Sequence, residues 1–275
     1  MRLLIDDTFA TATYTVPVTS GWVSPPEGIT AEIAHRLTAD SATEESIVLA
    51  PASEILLLQQ THRVAGDVAV IADGNGAIAM RTPVRPDDVD ATPVRLFETS
   101  GLAELLARAT LRPFYGIEPT NWVRNGDEPE AARAEAVIVE GAEALCEPEA
   151  GFSEDLSRAW FILTAQPVVS HVLLVPRALP SADLANVLTF LNAARSEGLS
   201  RRREWRPPLA DREGVGRDRA SAFWAAQRLK MEPADRQALL DLLGRGSRGT
   251  SDPPPANVTF IDGAGSEWLV DAGSL

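Results

Sequence analysis

The 275-residue chain contains a single cysteine and only three histidines. Because Cys146 stands alone, neither an internal disulfide nor a metal site built from several cysteines can form. His35, His62 and His171 are scattered along the chain and lack the close spacing of histidines that bind one metal ion. The sequence therefore predicts a protein without a metal site, and none of its motifs points to a cofactor.

Long apolar runs and an excess of positive charge are also missing. No apolar run approaches the roughly 18 residues of a membrane-spanning helix, and Asp6 and Asp7 lie where a signal peptide would have its apolar core. The net charge is −14, whereas nucleic-acid binding relies on concentrated lysine and arginine. We therefore expect a cytoplasmic protein with no nucleic-acid or membrane partner.

Positive charge is concentrated in one part of the chain. Residues 195–248 hold 13 lysines and arginines against 8 acidic residues, and this part includes the run Arg201, Arg202 and Arg203. Such a run is typical of a solvated helical face, and a binding surface is the alternative.

Short apolar runs alternate with helical patterns, which favours α/β architecture with mostly parallel sheets. Strands are predicted near residues 3–5, 47–50, 68–71, 77–80, 94–97, 136–139 and 171–175. Helices are predicted near residues 29–38, 52–61, 100–112, 153–163, 182–197, 217–230 and 234–243.

Two connecting segments, residues 71–80 and 174–183, divide the chain. If both cross between lobes, residues 78–175 form an inserted middle lobe, and residues 1–77 and 176–244 form a discontinuous outer lobe. Residues 245–275 begin as a flexible Gly/Ser/Pro linker and end in a β-hairpin-like tail. The tail pairs either with a sheet edge or with a second chain, which would give a homodimer.

Nucleotide and hydrolase signatures are missing, but several residues are placed to meet a ligand. The stretch GNGAIA lacks the third glycine of a dinucleotide fingerprint and precedes a strand rather than a helix. Glu140 ends the strand-like run AVIVE, where α/β proteins meet their ligands, and the alternative is a capping or loop carboxylate. His171 opens the run VLLV, either as a hydrogen-bonded core histidine or as a donor into an interdomain cleft. Ser53 and Glu54 follow the run IVLAP and suit the first turn of a helix.

The stretch Thr99-Ser100-Gly101 stands between a strand and a helix. A helix start has unpaired N–H groups and a partial positive charge, which attract an anion. The two hydroxyl groups add hydrogen-bond donors, and Gly101 would let a ligand approach the backbone. Ordinary capping by Thr99 or Ser100 is the alternative.

Taken in order, five stretches resemble one family of enzymes. They are IVLAPASEILLL, DVAVIADGNGAIAM, LFETSGLAELLARATLRPFYGIEP, AVIVEGAEAL and WFILTAQPVVSHVLLVPR. They look like the menaquinone-biosynthesis enzymes of the futalosine route, chiefly chorismate dehydratase and its sister dihydroxynaphthoate synthase. The resemblance runs from about residue 44 to about residue 243.

The resemblance implies a type 2 periplasmic-binding-protein fold. Two α/β lobes, each a mixed sheet flanked by helices, would enclose a ligand cleft, and the residues after 244 would be a C-terminal extension. The family's activity would be a carbon–oxygen lyase reaction that removes water from chorismate without a metal or nucleotide. The alternative is a non-catalytic protein that binds a small anion in the same cleft.

Thr99 and Ser100 match the Thr-Ser pair of the family, and the lyase hypothesis assigns roles to further residues. Thr99, Ser100 and the amides of the first helical turn, including Gly101, would hold the carboxylate of the ligand. Thr11 and Ser53 would line the opposite wall, and His171 or Glu140 would act as the base or orient the substrate.

The sequence departs from the family pattern near the expected cleft. The family's Tyr-Leu-Asn after the first strand is replaced by residues 7–11, which contain no asparagine. The family's aspartate after the strand AVIVE is replaced by Ala142. Phe97 and Glu98 partly replace a small residue before the Thr-Ser pair. These departures weaken the inference of the reaction more than that of the fold.

Overall fold

The computed structural model describes residues 1–124, 129–256, 258–263 and 265–270, which form two β-sheets with helices packed on them. The strands are β1 (Arg2–Asp6), β2 (Thr30–Ala34), β3 (Ile47–Pro51), β4 (His62–Ala72), β5 (Ile78–Thr82), β6 (Ala91–Leu96), β7 (Glu118–Val123), β8 (Ala136–Glu140), β9 (Phe152–Asp155), β10 (Val168–Pro176), β11 (Gln227–Arg228), β12 (Val258–Ile261) and β13 (Glu267–Val270). The α-helices are α1 (Ala12–Thr19), α2 (Ile55–Leu58), α3 (Gly101–Thr110), α4 (Ala142–Leu145), α5 (Leu156–Thr164), α6 (Ser181–Ser200), α7 (Arg202–Arg212), α8 (Arg217–Ala225) and α9 (Pro233–Gly246).

The two sheets draw on different parts of the chain. The smaller sheet has the strand order β7-β6-β8-β5-β9, and its strands are consecutive in sequence. The larger sheet has the order β13-β12-β4-β10-β3-β1-β2, with β11 paired to β4, and combines strands from both sides of that segment. This is the two-lobed α/β architecture that the resemblance implies.

Both sheets are mixed, so the expectation of mostly parallel sheets is wrong. β1 runs parallel to β2 and β3, and β6 runs parallel to β7 and β8. In contrast, β10 runs antiparallel to both β3 and β4, and β5 runs antiparallel to β8 and β9. Strands β3 and β10 are buried along their whole length, which is why they read as continuous apolar runs.

The helix predicted at residues 29–38 is a second error. Residues Thr30–Ala34 form the edge strand β2, where Ala31 and Ile33 pair with Leu3 and Ile5 of β1. The helix α1 was not predicted, because its sequence ATYTVPVT is rich in β-branched residues and contains Pro17. It forms because Ala12, Tyr14 and neighbouring side chains are buried against the larger sheet and α6.

Helix α3 carries one wall of the space between the sheets. Leu102, Leu105 and Leu106 are buried on one face of it, as the periodicity predicts. The helix begins after Ser100, which has an extended backbone and accepts a hydrogen bond from Ala103 N through its side chain. Helix α9, which lies in sequence between strands β11 and β12 of the larger sheet, packs against α3, so the two sheets share one buried core.

The tail adds two strands to the larger sheet. Strand β12 runs parallel to β4 and antiparallel to β13, so the tail pairs with a sheet edge of its own chain. The homodimer stays a prediction. Residues 257, 264 and 271–275 of the predicted tail lie outside the described residues.

Asp155 caps helix α5 from a partly buried position, and this gives a testable pH dependence. Its carboxylate accepts hydrogen bonds from Ser157 N and Arg158 N, but burial outweighs them and raises the pKa of Asp155 to about 6. The folded state therefore holds a proton more tightly than the unfolded chain does. The tighter proton binding by Asp155 adds to the free energy of unfolding below about pH 4. This added stability is lost as the pH rises through about 6, and the free energy of unfolding then falls by roughly 2–3 kcal/mol.

Asp155→Asn provides the matched control, because asparagine caps a helix about as well as aspartate and does not titrate. We expect the free energy of unfolding of the wild type, relative to that of Asp155→Asn, to fall between pH 4 and pH 7. Chemical denaturation at the two pH values measures it, and parallel curves for the two proteins would contradict the assignment.

Candidate functional site

A cleft with a volume of about 1200 Å³ lies between the two sheets. One wall comes from the loops that follow β1, β2 and β3, and the other comes from the start of α3 and the end of β8. The structure brings six of the seven predicted site residues to this cleft: Ser53, Thr99, Ser100, Gly101, Glu140 and His171.

Thr11 is the predicted site residue that does not line the cleft. Its side chain is fully buried, and its hydroxyl donates to the carbonyl oxygen of Asp6 at 2.5 Å and accepts from Thr8 N at 3.0 Å. This hydroxyl closes the turn after β1, and contact of Thr11 with a ligand stays a prediction. Thr8, which those bonds hold in place, faces the cleft instead.

A buried carboxylate–imidazole pair lies on the floor of the cleft. Asp6 Oδ2 is 3.2 Å from His171 Nε2, and the two side chains are 1% and 3% exposed. The other oxygen, Oδ1, accepts from Leu37 N at 2.9 Å. The pair forms because β1 and β10 both flank β3, which places the ends of two distant segments side by side.

The second ring nitrogen of His171 faces Ser170. Nδ1 is 3.2 Å from Ser170 Oγ, which also donates to the carbonyl oxygen of Val70 at 3.1 Å. Because an ionised Asp6 carboxylate only accepts hydrogen bonds, the network assigns a proton to Nε2. Because the single hydroxyl proton of Ser170 goes to Val70, the Ser170 oxygen faces Nδ1 as an acceptor, and Nδ1 can take a proton from a ligand only when it does not donate to Ser170. Both Ser170 and His171 border the cleft.

The start of α3 is occupied by Glu140. Ser100 donates its backbone N–H to Glu140 Oε2 at 2.6 Å and its hydroxyl to Oε1 at 2.9 Å. These bonds lower the pKa of the Glu140 carboxyl, but burial outweighs them and raises it. The position predicted to hold an anion therefore already holds a carboxylate of the same chain.

The sequence left open whether Thr99 and Ser100 cap α3 or bind a ligand, and the structure shows the contacts of both hydroxyl groups. Ser100 accepts a hydrogen bond from Ala103 N at 3.4 Å, so it caps α3, and its N–H and hydroxyl also hold a carboxylate. The hydroxyl oxygen of Thr99 is buried and has no hydrogen-bond partner among the described residues. Ser100 therefore caps α3 and holds the carboxylate of Glu140, and its contact with an external ligand stays a prediction. The hydroxyl of Thr99 lies beside the cleft without such a partner in the described part of the chain.

Ser53 and Glu54 lie against the same helix start from the larger sheet. Glu54 accepts from Ala39 N at 2.7 Å and from Ser53 Oγ at 2.9 Å, and burial raises the pKa of its carboxyl. A side chain at Gly101 would meet Ser53 Oγ at 2.9 Å. Glycine at residue 101 therefore permits close packing with Ser53, in addition to any approach of a ligand.

Negative charge dominates the walls of the cleft. Among the described residues that line it, ten are acidic and three are arginines. Each arginine is paired with a lining carboxylate: Arg36 with Glu98, Arg124 with Glu104, and Arg212 with Glu213. A free anion would therefore meet few unpaired cations on these walls.

Aromatic side chains form the end of the cleft near α7. Phe9, Trp22 and Trp205 line it, and the ring of Phe9 stacks on Trp224 with centroids 4.4 Å apart. The arginine-rich run takes part here, because the guanidinium of Arg201 lies 4.8 Å from the centre of the Trp22 ring. The prediction of a purely solvated arginine face is therefore incomplete.

Sequence reasoning missed Asp6 as a site residue. The signal was present, because Asp6 ends the strand RLLID in the same way that Glu140 ends AVIVE. The sequence did not show that Asp6 pairs with His171, because 165 positions separate the two residues.

A family model described as menaquinone biosynthesis matches residues 29–248, which is most of the chain. The chain belongs to this family. The matched residues include the start of α3, His171, and the ends of β3 and β8 that border the cleft. Asp6 precedes the matched range. No curated protein sequence matches the chain.

Solved structures similar to this family member share its fold at low sequence identity. Protein AF1704 from Archaeoglobus fulgidus has a TM-score of 0.65 at 15% identity, covering 90% of this chain and 96% of that one. The periplasmic aliphatic sulphonate binding protein SsuA from Escherichia coli has a TM-score of 0.57 at 12% identity, covering 88% and 84%. The Candida albicans CA3427 gene product, with the generic periplasmic binding protein fold, has a TM-score of 0.57 at 9% identity, covering 93% and 92%.

These structures show that the menaquinone-biosynthesis family member has the periplasmic-binding-protein fold, with its cleft between two α/β lobes. In the described part of the chain, none of the helices has the length and apolar character needed to cross a membrane. The same residues contain no cluster of three or more histidine, cysteine or acidic side chains arranged to hold a metal ion.

Proposed function

We propose that this protein binds a small carboxylate in the cleft and removes water from it, as a carbon–oxygen lyase of menaquinone biosynthesis similar to chorismate dehydratase. The observation that carries the proposal is the buried Asp6–His171 pair on the cleft floor. As the resemblance implies, the reaction would take place in the cytoplasm.

The proposed reaction requires a base rather than a redox partner. In chorismate, a ring proton and the neighbouring hydroxyl group leave together as water, and the ring becomes aromatic. His171 Nδ1 would take the ring proton and pass it to the departing hydroxyl group, which leaves as water, while Asp6 holds the other ring nitrogen in its protonated form. General base catalysis of this kind contributes roughly 10²- to 10⁴-fold to a rate.

Binding would use the start of α3. The hydroxyl of Thr99, the N–H and hydroxyl of Ser100 and the amides of the first turn would hold the carboxylate of the ligand, because they are donors at the positive end of a helix. Ser53 and Glu54 approach the same place from the larger sheet. Phe9, Trp22 and Trp205 offer apolar faces for a ring.

The direct test is to incubate the purified protein with chorismate and to follow the formation of 3-enolpyruvylbenzoate by chromatography. We expect the wild type to form product and His171→Asn to lose roughly 10²- to 10⁴-fold in rate. His35→Asn is the matched control, because His35 also lines the cleft but is exposed and bonds to the carbonyl oxygen of Asp7. Its rate is expected to stay close to that of the wild type.

A second function is favoured by the closed surroundings of His171. The residue is 2% exposed, and both ring nitrogens have partners within the protein. A non-catalytic protein that binds a small anion in the cleft does not need a histidine nitrogen that is free to accept a proton from the ligand. If chorismate raises the melting temperature but forms no product, the lyase proposal fails and the binding function is favoured.

A further inference from the structure

The strongest unexplained feature of the cleft is the carboxylate that fills its own anion-binding position. Glu140 contacts Ser100 through both oxygens, at 2.6 Å to the N–H and 2.9 Å to the hydroxyl. A bound carboxylate would use the same donors at the start of a helix. The side chain of Glu140 is therefore arranged as a carboxylate ligand would be.

We propose that Glu140 is an internal stand-in for the carboxylate of the ligand and must leave Ser100 before an external carboxylate binds there. This inference rests on the proposed function, since it takes a small carboxylate as the ligand. It adds a residue that sets the affinity and the pH dependence of binding.

Thr99 provides an observation independent of the Glu140 contact. Its hydroxyl oxygen is buried, lies beside Ser100 on the cleft wall and has no partner among the described residues. A buried polar group without a partner costs free energy, and Glu140 does not satisfy this one. A ligand carboxylate seated on Ser100 would be next to a free donor that Glu140 leaves unused.

The surroundings of Glu140 make its displacement feasible. Gly141, the next residue, has a φ of 71° and a ψ of −136°, a conformation open mainly to glycine, so the chain turns sharply directly after Glu140. The cleft of about 1200 Å³ gives the displaced side chain room to move.

Burial acts against the ionised form of Glu140, and the nearby charges modify this effect. His171 on β10 lowers the pKa of the Glu140 carboxyl, and Asp6 on β1 raises it to a smaller extent. Glu54 lies near Gly101, the residue after Ser100. Because burial is the largest effect and raises the pKa, Glu140 gains a proton at a higher pH than an exposed glutamate. As the pH falls, its hold on Ser100 weakens and an ionised ligand can take its place.

The test measures the dissociation constant of benzoate, used as a simple carboxylate probe, by titration calorimetry. We expect Glu140→Ala to bind benzoate at least about tenfold more tightly than the wild type, which corresponds to about 1.4 kcal/mol. Glu204→Gln is the control, because Glu204 also lines the cleft and is exposed. It changes the net charge equally but leaves Ser100 occupied, so its effect should stay below about threefold.

A second measurement separates displacement from a general gain in stability or charge. Over the pH range in which benzoate remains ionised, we expect the wild type to bind it more tightly as the pH falls, because burial raises the pKa of the Glu140 carboxyl. The slope of Glu140→Ala should be smaller, because the carboxylate that competes for Ser100 is absent from it. Glu140→Gln, which removes the charge and keeps the volume, should lie between the wild type and Glu140→Ala in affinity.

Each outcome decides the matter. Equal affinity in the wild type and Glu140→Ala, equal slopes, or no measurable binding to Glu140→Ala would overturn the inference. Failure of the proposed function is distinguishable, because tighter benzoate binding by Glu140→Ala without chorismate turnover by the wild type supports displacement and rejects the lyase. Chorismate turnover by the wild type, without tighter benzoate binding by Glu140→Ala, would support the lyase and reject displacement.

Discussion

Asp6→Ala is expected to lower the free energy of unfolding by about 3 kcal/mol and to abolish any acid–base reaction in the cleft. The substitution removes two acceptors at once. Leu37 N loses its partner at 2.9 Å, and His171 Nε2 loses its partner at 3.2 Å. Both side chains of the pair are almost completely buried, so water cannot readily replace the carboxylate.

Asp6→Asn is the matched variant, because it keeps the volume and one carbonyl oxygen. That oxygen can still accept from Leu37 N, so the loss of stability should be closer to about 1 kcal/mol. The amide group, however, would face His171 as a donor, which forces the proton of the ring from Nε2 to Nδ1. Nδ1 could then no longer take up a proton, and the reaction should be lost although the protein remains folded.

Chemical denaturation at pH 7 measures both losses of stability, and a double-mutant cycle with His171→Ala measures the coupling. We expect a coupling energy of about 1 kcal/mol or more. Additive effects of Asp6→Ala and His171→Ala would show that the two side chains do not stabilise each other. Full chorismate turnover by Asp6→Asn would show that the pair has no part in the chemistry.

The fold was largely predictable because its central strands have a strong and simple signal. Strands β3 and β10 are buried along their whole length, so they appear as apolar runs bounded by turn-forming residues. The edge strand β2 has no such signal. It is half exposed, and its spacing of Ile29, Ile33 and Leu37 also fits a helix.

The contact between Glu140 and Ser100 follows from topology that the sequence only suggests. Glu140 ends β8, and Ser100 follows β6. Because these two strands are parallel neighbours, their carboxyl ends meet at one edge of the sheet. Each residue was predicted as a candidate by itself, but their pairing required the strand order, which local patterns do not contain.

The Asp6–His171 pair depended on the direction of one strand. An alternating pattern of strands and helices favours parallel strands, yet β10 runs antiparallel to β3 and places His171 opposite Pro51. Asp6 arrives from β1 on the other side of β3. Thr11, which the sequence predicts as a ligand contact, uses its hydroxyl in the turn that holds Asp6 and Thr8.

Gly246→Ala is expected to lower the free energy of unfolding by about 3 kcal/mol, because it separates the helices that join the two lobes. A Cβ atom at residue 246 would lie 2.6 Å from the carbonyl oxygen and 2.8 Å from the Cα atom of Leu105. These are backbone atoms of α3, so the strain cannot be relieved by turning a side chain. Either α3 or α9 must shift.

Gly244→Ala is the matched control on the same helix. The nearest atom to its added Cβ would be Pro255 Cγ at 3.9 Å, which is ordinary contact. Since alanine favours the helix more than glycine does, this variant should be neutral or more stable by up to about 1 kcal/mol. Chemical denaturation of both variants at one pH compares them directly, and equal stabilities would contradict the close approach of α9 to α3.

The Gly246→Ala variant should also affect the cleft. Leu105, which the new methyl group would press, lines the cleft on the same helix that begins after Ser100. A shift of α3 would move the donors of Ser100 and of the first helical turn away from the wall formed by Ser53, against which Gly101 packs closely. We therefore expect weaker benzoate binding in Gly246→Ala than in Gly244→Ala, measured where both proteins are fully folded. Unchanged binding would show that α3 keeps its position and that the strain is taken up by α9 alone.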